Sequence, residues 1–321
     1  MLIRRKKGWE LPESAVTPED VYLNRRAFIG TAAAGAIAGS AMLRGGSARA
    51  DETGAWNDLY PVPTNDSYPA GREVTPEELV TTYNNFYEFG SSKEIAVRAQ
   101  ALEVRPWTIT IDGLVEQEMT LDIDDLLKRV SLEERIYRHR CVEAWSITVP
   151  WSGFPLARLV EIARPLGSAK YLQMTTFHNP DVAIGQTQSW YPWPYVEGLT
   201  MAEATHDLAF IVTGQYGKPV PKQNGAPLRL STPWKYGFKS VKSIVNFRFT
   251  EERPRTFWEE INSHEYGFWA NVNPEVPHPR WSQAFETILH TRERVPTVIY
   301  NGYGEWVAGL YAGLEGEALF M

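Results

Sequence analysis

A single thiol stands at position 141, inside Tyr137-Arg138-His139-Arg140-Cys141-Val142-Glu143-Ala144-Trp145. Two arginines and a histidine precede it within three positions. Nearby positive charge favours thiolate over thiol, and thiolate is a soft donor that a redox metal can take. A buried, inert cysteine is the competing reading, and residue chemistry alone leaves both open. A second cluster points to an anion. Arg229 follows Asn224-Gly225-Ala226-Pro227-Leu228, and Lys235, Lys239 and Lys242 fall within eight residues. Glycine and serine beside them let backbone N–H groups approach a phosphate, to which lysine adds charge. A solvated basic loop is the alternative.

Other chemistries find little support. His139, His178, His206, His264, His278 and His290 form no short metal-ligand pair of the H-E-x-x-H kind. There is no G-x-S-x-G nucleophile turn, no dinucleotide fingerprint and no P-loop. His139 and Cys141 could pair as base and nucleophile, but residues two apart on a strand share a face without their tips having to meet. One cysteine excludes an intramolecular disulfide and any zinc site needing two thiolates. Haem-attachment and iron–sulfur motifs are also missing. The chain carries a net charge of −7, yet eight of its 32 Lys and Arg residues lie in positions 1–50. The remainder is acidic and so a poor general binder of nucleic acid. Twelve tryptophans imply packed, partly polar pockets, since each buried indole N–H wants a partner.

The first fifty residues read as an address. Arg25 and Arg26 precede a Gly- and Ala-rich apolar stretch, and Ala48-Arg49-Ala50 offers a cleavage site. Paired arginines make this a twin-arginine signal peptide, residues 1–50, cleaved after Ala50. Positions 27–43 are too short for the ~20 residues of a membrane span. The twin-arginine translocation machinery carries proteins already folded, often with a cofactor installed, so residues 51–321 are expected in the periplasm as a single catalytic domain.

The elements that position the chemistry follow from pattern. Residues 51–74 read as an extended arm. Thr75-Pro76-Glu77-Glu78 predicts a capping box and a helix to about Tyr83, left through a loop at 84–90. Alternation at 107–111 predicts a strand turning at Asp112-Gly113 into a partner at 114–120. A helix is expected over 122–130, a strand over 134–140 running into Cys141, and a helix over 155–163 capped by Gly167. Strands follow at 170–177, 209–213, 226–230 and 243–249, with a hairpin turn at Gly214–Gly217 and a capped helix from Thr256. Irregular mixing of strands and helices argues for an α+β fold.

Taken in order, the twin-arginine signal, Tyr83-Asn84-Asn85-Phe86-Tyr87-Glu88-Phe89, Arg140-Cys141-Val142-Glu143-Ala144-Trp145, Asn224–Arg229 and Gly237–Lys242 resemble the catalytic subunits of periplasmic protein-methionine-sulfoxide reductases, in the sulfite-oxidase superfamily of molybdenum enzymes. The resemblance spans essentially the whole chain. It implies a molybdopterin-binding fold of mixed β-sheets with surrounding helices, and one Mo-molybdopterin. It implies that Cys141 is the catalytic thiolate on molybdenum. Asn84, Tyr87, Glu88, Thr176, Asn224, Arg229, Ser240, Val241 and Lys242 would hold the cofactor, the last three at its terminal phosphate, so that the lysine cluster becomes a phosphate cradle. The implied reaction is oxygen-atom transfer from methionine sulfoxide in oxidised exported proteins to Mo(IV). A membrane haem b subunit linked to quinol would donate the electrons. Glu143 either faces the same pocket or pairs with Arg138 or Arg140. Tyr191, Trp193 and Tyr195 either rim the site or pack in the core. A periplasmic sulfite-oxidising molybdoenzyme of the same superfamily is the alternative. Many such enzymes add a C-terminal dimerisation domain; the residues after 249 read as helix and tail, which favours the reductase and a monomer. A non-catalytic exported binding protein with a buried cysteine is the rival from another class.

Overall fold

The computed structural model describes residues 54–320. The expected signal peptide and its cleavage point lie outside the described residues. No described helix is long and apolar enough to cross a membrane. The strands are β1 (Thr108–Gly113), β2 (Met119–Asp122), β3 (Glu133–Arg140), β4 (Trp145–Pro155), β5 (Tyr171–Thr176), β6 (Val196–Thr200), β7 (Phe210–Gln215), β8 (Lys218–Pro219), β9 (Arg229–Ser231), β10 (Ile244–Thr250), β11 (Phe285–Ile288) and β12 (Arg294–Pro296). Between them run short helices: α1 (Glu77–Thr82), α2 (Ala96–Ala99), α3 (Ile123–Leu127), α4 (Leu156–Ala163), α5 (Met201–Ala204), α6 (Phe257–Asn262) and α7 (Gly304–Val307).

Two mixed sheets carry the fold, which is α+β. One runs β2-β1-β10-β5-β6, with β1 and β10 parallel. The other runs β12-β11-β4-β7-β8, with β3 paired to β4 and β9 to β7. β1 alternates as a half-buried strand should, sending Ile109 and Ile111 inward. In α4, Leu156, Leu159, Val160 and Ala163 are buried at positions i, i+3, i+4 and i+7, the apolar stripe of a helix seated on a sheet. Burying each of its larger side chains contributes about 1.5–3 kcal/mol.

Several boundaries depart from the sequence reading. The partner of β1 begins only at Met119, after a five-residue loop rather than a tight turn. Thr75 does not cap α1. Its hydroxyl accepts from the Thr148 backbone N–H at 3.0 Å instead, tying the helix to β4. The left-handed residue ending α4 is Arg164, φ 52°, not Gly167. The strand expected at 226–230 is shifted to β9. The hairpin turn at 214–217 forms between β7 and β8, with Tyr216 and Gly217 both left-handed.

Two omissions matter more. β4 is eleven residues long and nine of them are buried. It contains Pro150 and Pro155 and is covered on both faces, so it shows neither alternation nor a proline-free run. The region after 249 is not only helix and tail, because β11 joins β4 in parallel and carries β12. β6 was likewise not foreseen.

Candidate active site

The β3–β4 hairpin presents the thiol. Cys141 N–H donates to Trp145 O at 3.0 Å and Ala144 N–H to Cys141 O at 3.1 Å, with Ala144 left-handed at φ 63°. This tight loop holds Cys141 at 5% exposure. Two donors approach its sulfur: the Glu143 backbone N–H at 3.5 Å and Asn85 Nδ2 at 3.7 Å. The flanking arginines do not activate it. Arg140 is fully buried, donates to Cys141 O, and is ion-paired with Glu286 at 2.9 Å. Arg138 donates to the carbonyls of Ala70 and Asn301. Burial, with the Glu143 charge adding to it, pushes the free Cys141 thiol up to about 12. Lys93 and Arg140 do pull it down, as nearby positive charge should, but burial outweighs them, and a metal would make this sulfur a thiolate at neutral pH.

Cys141 opens onto a cavity of about 610 Å³. One wall is cationic. Arg229, at the start of β9, donates to the carbonyls of Asn224 at 2.9 Å and Ser240 at 3.0 Å and lies over the Trp151 ring. Lys242 donates to Asn85 O at 2.8 Å and Gln223 O at 2.7 Å. Among the described residues neither has a carboxylate salt-bridge partner. Burial pushes Arg229 down to about 10, and burial together with Arg229 lowers Lys242 strongly. Gly225, at φ 110°, lets this wall close: a Cβ there would sit 2.8 Å from Lys242 Cγ. Beside the cations, Asn84 and Asn224 both donate Nδ2 to Val80 O, at 2.9 and 3.1 Å. That leaves both Oδ1 atoms buried without a donor. Burial, then Arg229 and Lys242, hold the His139 imidazole down at about 3, so it lines the cavity uncharged. Glu88 accepts from the Thr176 hydroxyl at 3.2 Å, yet burial raises its carboxyl to about 7.

Another part of the lining is aromatic, made by Tyr87, Tyr191, Tyr195, Trp258, Tyr266 and Trp281. Trp258 lies 4.9 Å from the Tyr87 ring and 5.0 Å from Tyr266. Glu143 also lines the cavity. It is bound to Lys93 and accepts from Trp145 Nε1 at 2.9 Å. Burial alone would raise it, but Lys93 and Trp145 hold it below the usual carboxylate range.

Of the residues singled out from sequence, Asn84, Tyr87, Glu88, Cys141, Asn224, Arg229, Ser240, Val241 and Lys242 share this cavity. Thr176 is buried one layer back, behind Glu88. The lysine cluster divides. Lys235 is paired with Glu203 and Lys239 with Glu197, each at 2.5 Å and fully buried, so only Lys242 belongs to a cradle. Glu143 pairs with neither Arg138 nor Arg140. Tyr191 and Tyr195 line the cavity, while Trp193 packs on Phe257 at 5.0 Å. Sequence reasoning missed Asn85, Trp151, Trp258, Tyr266, Arg280 and Trp281, and the abundance of tryptophan was the one available hint. His139, read from sequence as an ordinary histidine or a base for Cys141, lines the cavity. Its Nε2 would lie 2.4 Å from any Cβ at Gly237.

Two buried acceptors lacking donors and two buried cations lacking carboxylates fit a ligand that brings both N–H donors and an anionic group. A pterin phosphate has that make-up. No three His, Cys, Asp or Glu residues converge to hold a metal among the described residues, so a metal at Cys141 must bring further donors with it, as a dithiolene does. The residues present therefore fit molybdopterin. A family model described as "oxidoreductase molybdopterin binding domain" matches residues 96–258. Among solved structures, the sulfane dehydrogenase SoxCD from Paracoccus pantotrophus is similar, at 16% identity and a TM-score of 0.47. The match covers 70% of this chain and 59% of that one.

Proposed function

Because the chain belongs to the oxidoreductase molybdopterin-binding domain family, we propose that it reduces methionine sulfoxide residues in oxidised exported proteins, in the periplasm. The observation that carries this reading is the composition of the cavity on its cysteine side. That side is aromatic, and its rim cation Arg280 is already bound to Glu265 at 2.7 Å. A neutral sulfoxide on an apolar side chain suits such a surface better than a doubly charged oxoanion.

Bound molybdopterin supplies an oxygen-atom acceptor and a two-electron relay, which no side chain provides. Overall, one sulfoxide, two electrons and two protons give one thioether and one water. The chain's own residues divide the remaining work. Arg229 and Lys242 bind the anionic end of the cofactor, and Asn84 and Asn224 accept from its N–H groups. The hairpin backbone and Asn85 hold the Cys141 sulfur in place. Glu143, fixed by Lys93, keeps a carboxylate beside it. Methionine oxidation is reversible by reductases, and electrons would arrive from a membrane haem b subunit, since no further redox motif is present in the sequence.

The exposed face of the Arg280 guanidinium favours a second reading, a sulfite-oxidising enzyme of the same superfamily. Purified metal-loaded protein should consume reduced dye with methionine sulfoxide and leave an oxidising dye untouched with sulfite. The reverse result selects the second reading. Cys141→Ser should abolish sulfoxide reduction while circular dichroism and the unfolding midpoint stay near wild type. Full activity in that variant would remove the ligand assignment.

A further inference from the structure

Half of the aromatic wall, Tyr87, Tyr266 and Trp281, comes from outside the stretch that matches the family. Tyr266, Arg280 and Trp281 all lie beyond residue 258, where the family match ends, and Trp258 is its last residue. Their packing is ordered. Trp281 stacks flat on His278, centroids 3.8 Å apart at 11°, and carries the Arg280 guanidinium over its ring at 4.9 Å. Its indole N–H donates to Val142 O at 2.8 Å, and Gln283 donates to the same carbonyl at 2.9 Å. The wall is thereby fastened one residue from Cys141. Tyr266 meets Trp258 at 5.0 Å. Tyr266 lines the same cavity as Cys141. Trp258 in turn meets Tyr87 and Tyr191.

We infer that Trp258, Tyr266 and Trp281 form a clasp that grips the sulfur-bearing side chain and sets which sulfur compounds reach Cys141. This rests on the reading of the protein as a sulfoxide reductase and deepens it. A sulfinyl sulfur carries partial positive charge, as do its flanking C–H groups, and ring faces are negative. Sulfur–aromatic contacts add polarizable attraction. Sulfite meets the same faces with its own negative charge and gains nothing. Asn224, Arg229 and Lys242 inside the family match thus bind the cofactor, while Trp258 at its edge and Tyr266 and Trp281 beyond it choose the substrate.

Steady-state kinetics and tryptophan-fluorescence titration test this on metal-loaded protein, with a short peptide containing methionine sulfoxide and with dimethyl sulfoxide as the minimal sulfoxide. Trp281 is spared because it also braces Val142. Trp258→Leu and Tyr266→Leu should each raise the KM for the peptide about tenfold, with kcat changed less than threefold, and weaken peptide binding by a similar factor. Dimethyl sulfoxide, with little to grip, should change less than threefold. Trp258→Phe and Tyr266→Phe, which keep a ring, should restore most of the affinity and guard against misfolding as the cause. Unchanged KM and binding in the Leu variants of an enzyme that does reduce the peptide would overturn the clasp and leave the reductase reading standing. A wild-type enzyme that turns over sulfite and no sulfoxide would overturn both.

Discussion

Two pairs of buried cations lie within fifteen residues of each other and have opposite surroundings. Lys235 and Lys239 each meet a buried carboxylate, Glu203 and Glu197. Arg229 and Lys242 meet backbone carbonyls, aromatic rings and a cavity, with no carboxylate bonded to either among the described residues. The first pair is internal structure, complete within the chain. The second is an electrostatic debt that a bound anion settles. Burial of a charge is expensive unless it is paired, so the pairing, and not the presence of lysine, separates scaffold from site.

The sharpest way to break this contrast is Lys239→Ala, which leaves Glu197 buried and unpaired. It should destabilise the protein by ~3–5 kcal/mol, read from the urea midpoint, with or without cofactor. A loss below 1 kcal/mol would mean the pair is not structural.

Glu88 sharpens it next, as a buried carboxyl with an influence on Lys242. Burial raises it to about 7 from an ordinary 4.5, despite Thr176 and Lys242. In the cofactor-free protein the folded state keeps this proton where the unfolded chain loses it. The Glu88 contribution to stability therefore falls as pH climbs from about 4.5 to about 7, by up to ~3 kcal/mol. Glu88→Gln should flatten that slope in denaturant titrations at pH 5 and pH 8. If Glu88 were the counter-ion of Lys242, its contribution would instead grow with pH.

Smallest is the effect of Lys242→Met. Removing one charge-assisted contact should weaken cofactor retention by ~2 kcal/mol, about thirtyfold, measured as pterin and molybdenum per protein after dialysis. The cofactor-free protein should be as stable as wild type or more so, because an unpaired buried charge is gone. A sign opposite to that of Lys239→Ala is the point of the pair of experiments.

Legibility in the sequence follows contact distance. The loop at 84–88, the cysteine segment and the run from Asn224 to Arg229 are short local strings whose chemistry is readable in place, and the cavity gathers them. Lys235 and Lys239 read as free cations because their carboxylates come from β6 and α5, more than thirty residues away. The aromatic wall draws on four separated segments, so no window of sequence displays it. β4 stayed hidden because burial on both faces erases the period of two, and its prolines argue against a central strand.

The Arg140–Glu286 link also sets an order of assembly. Glu286 is made 146 residues after Arg140, yet it is fully buried against the strand that ends at the cysteine, held there by Arg72, Arg140 and Ser146. A nascent chain halted before β11 has the cofactor-binding strings but no brace behind the hairpin. Loading must then wait until β11 is made, and a frameshift that removes it should be as damaging to the metal centre as a lesion beside it.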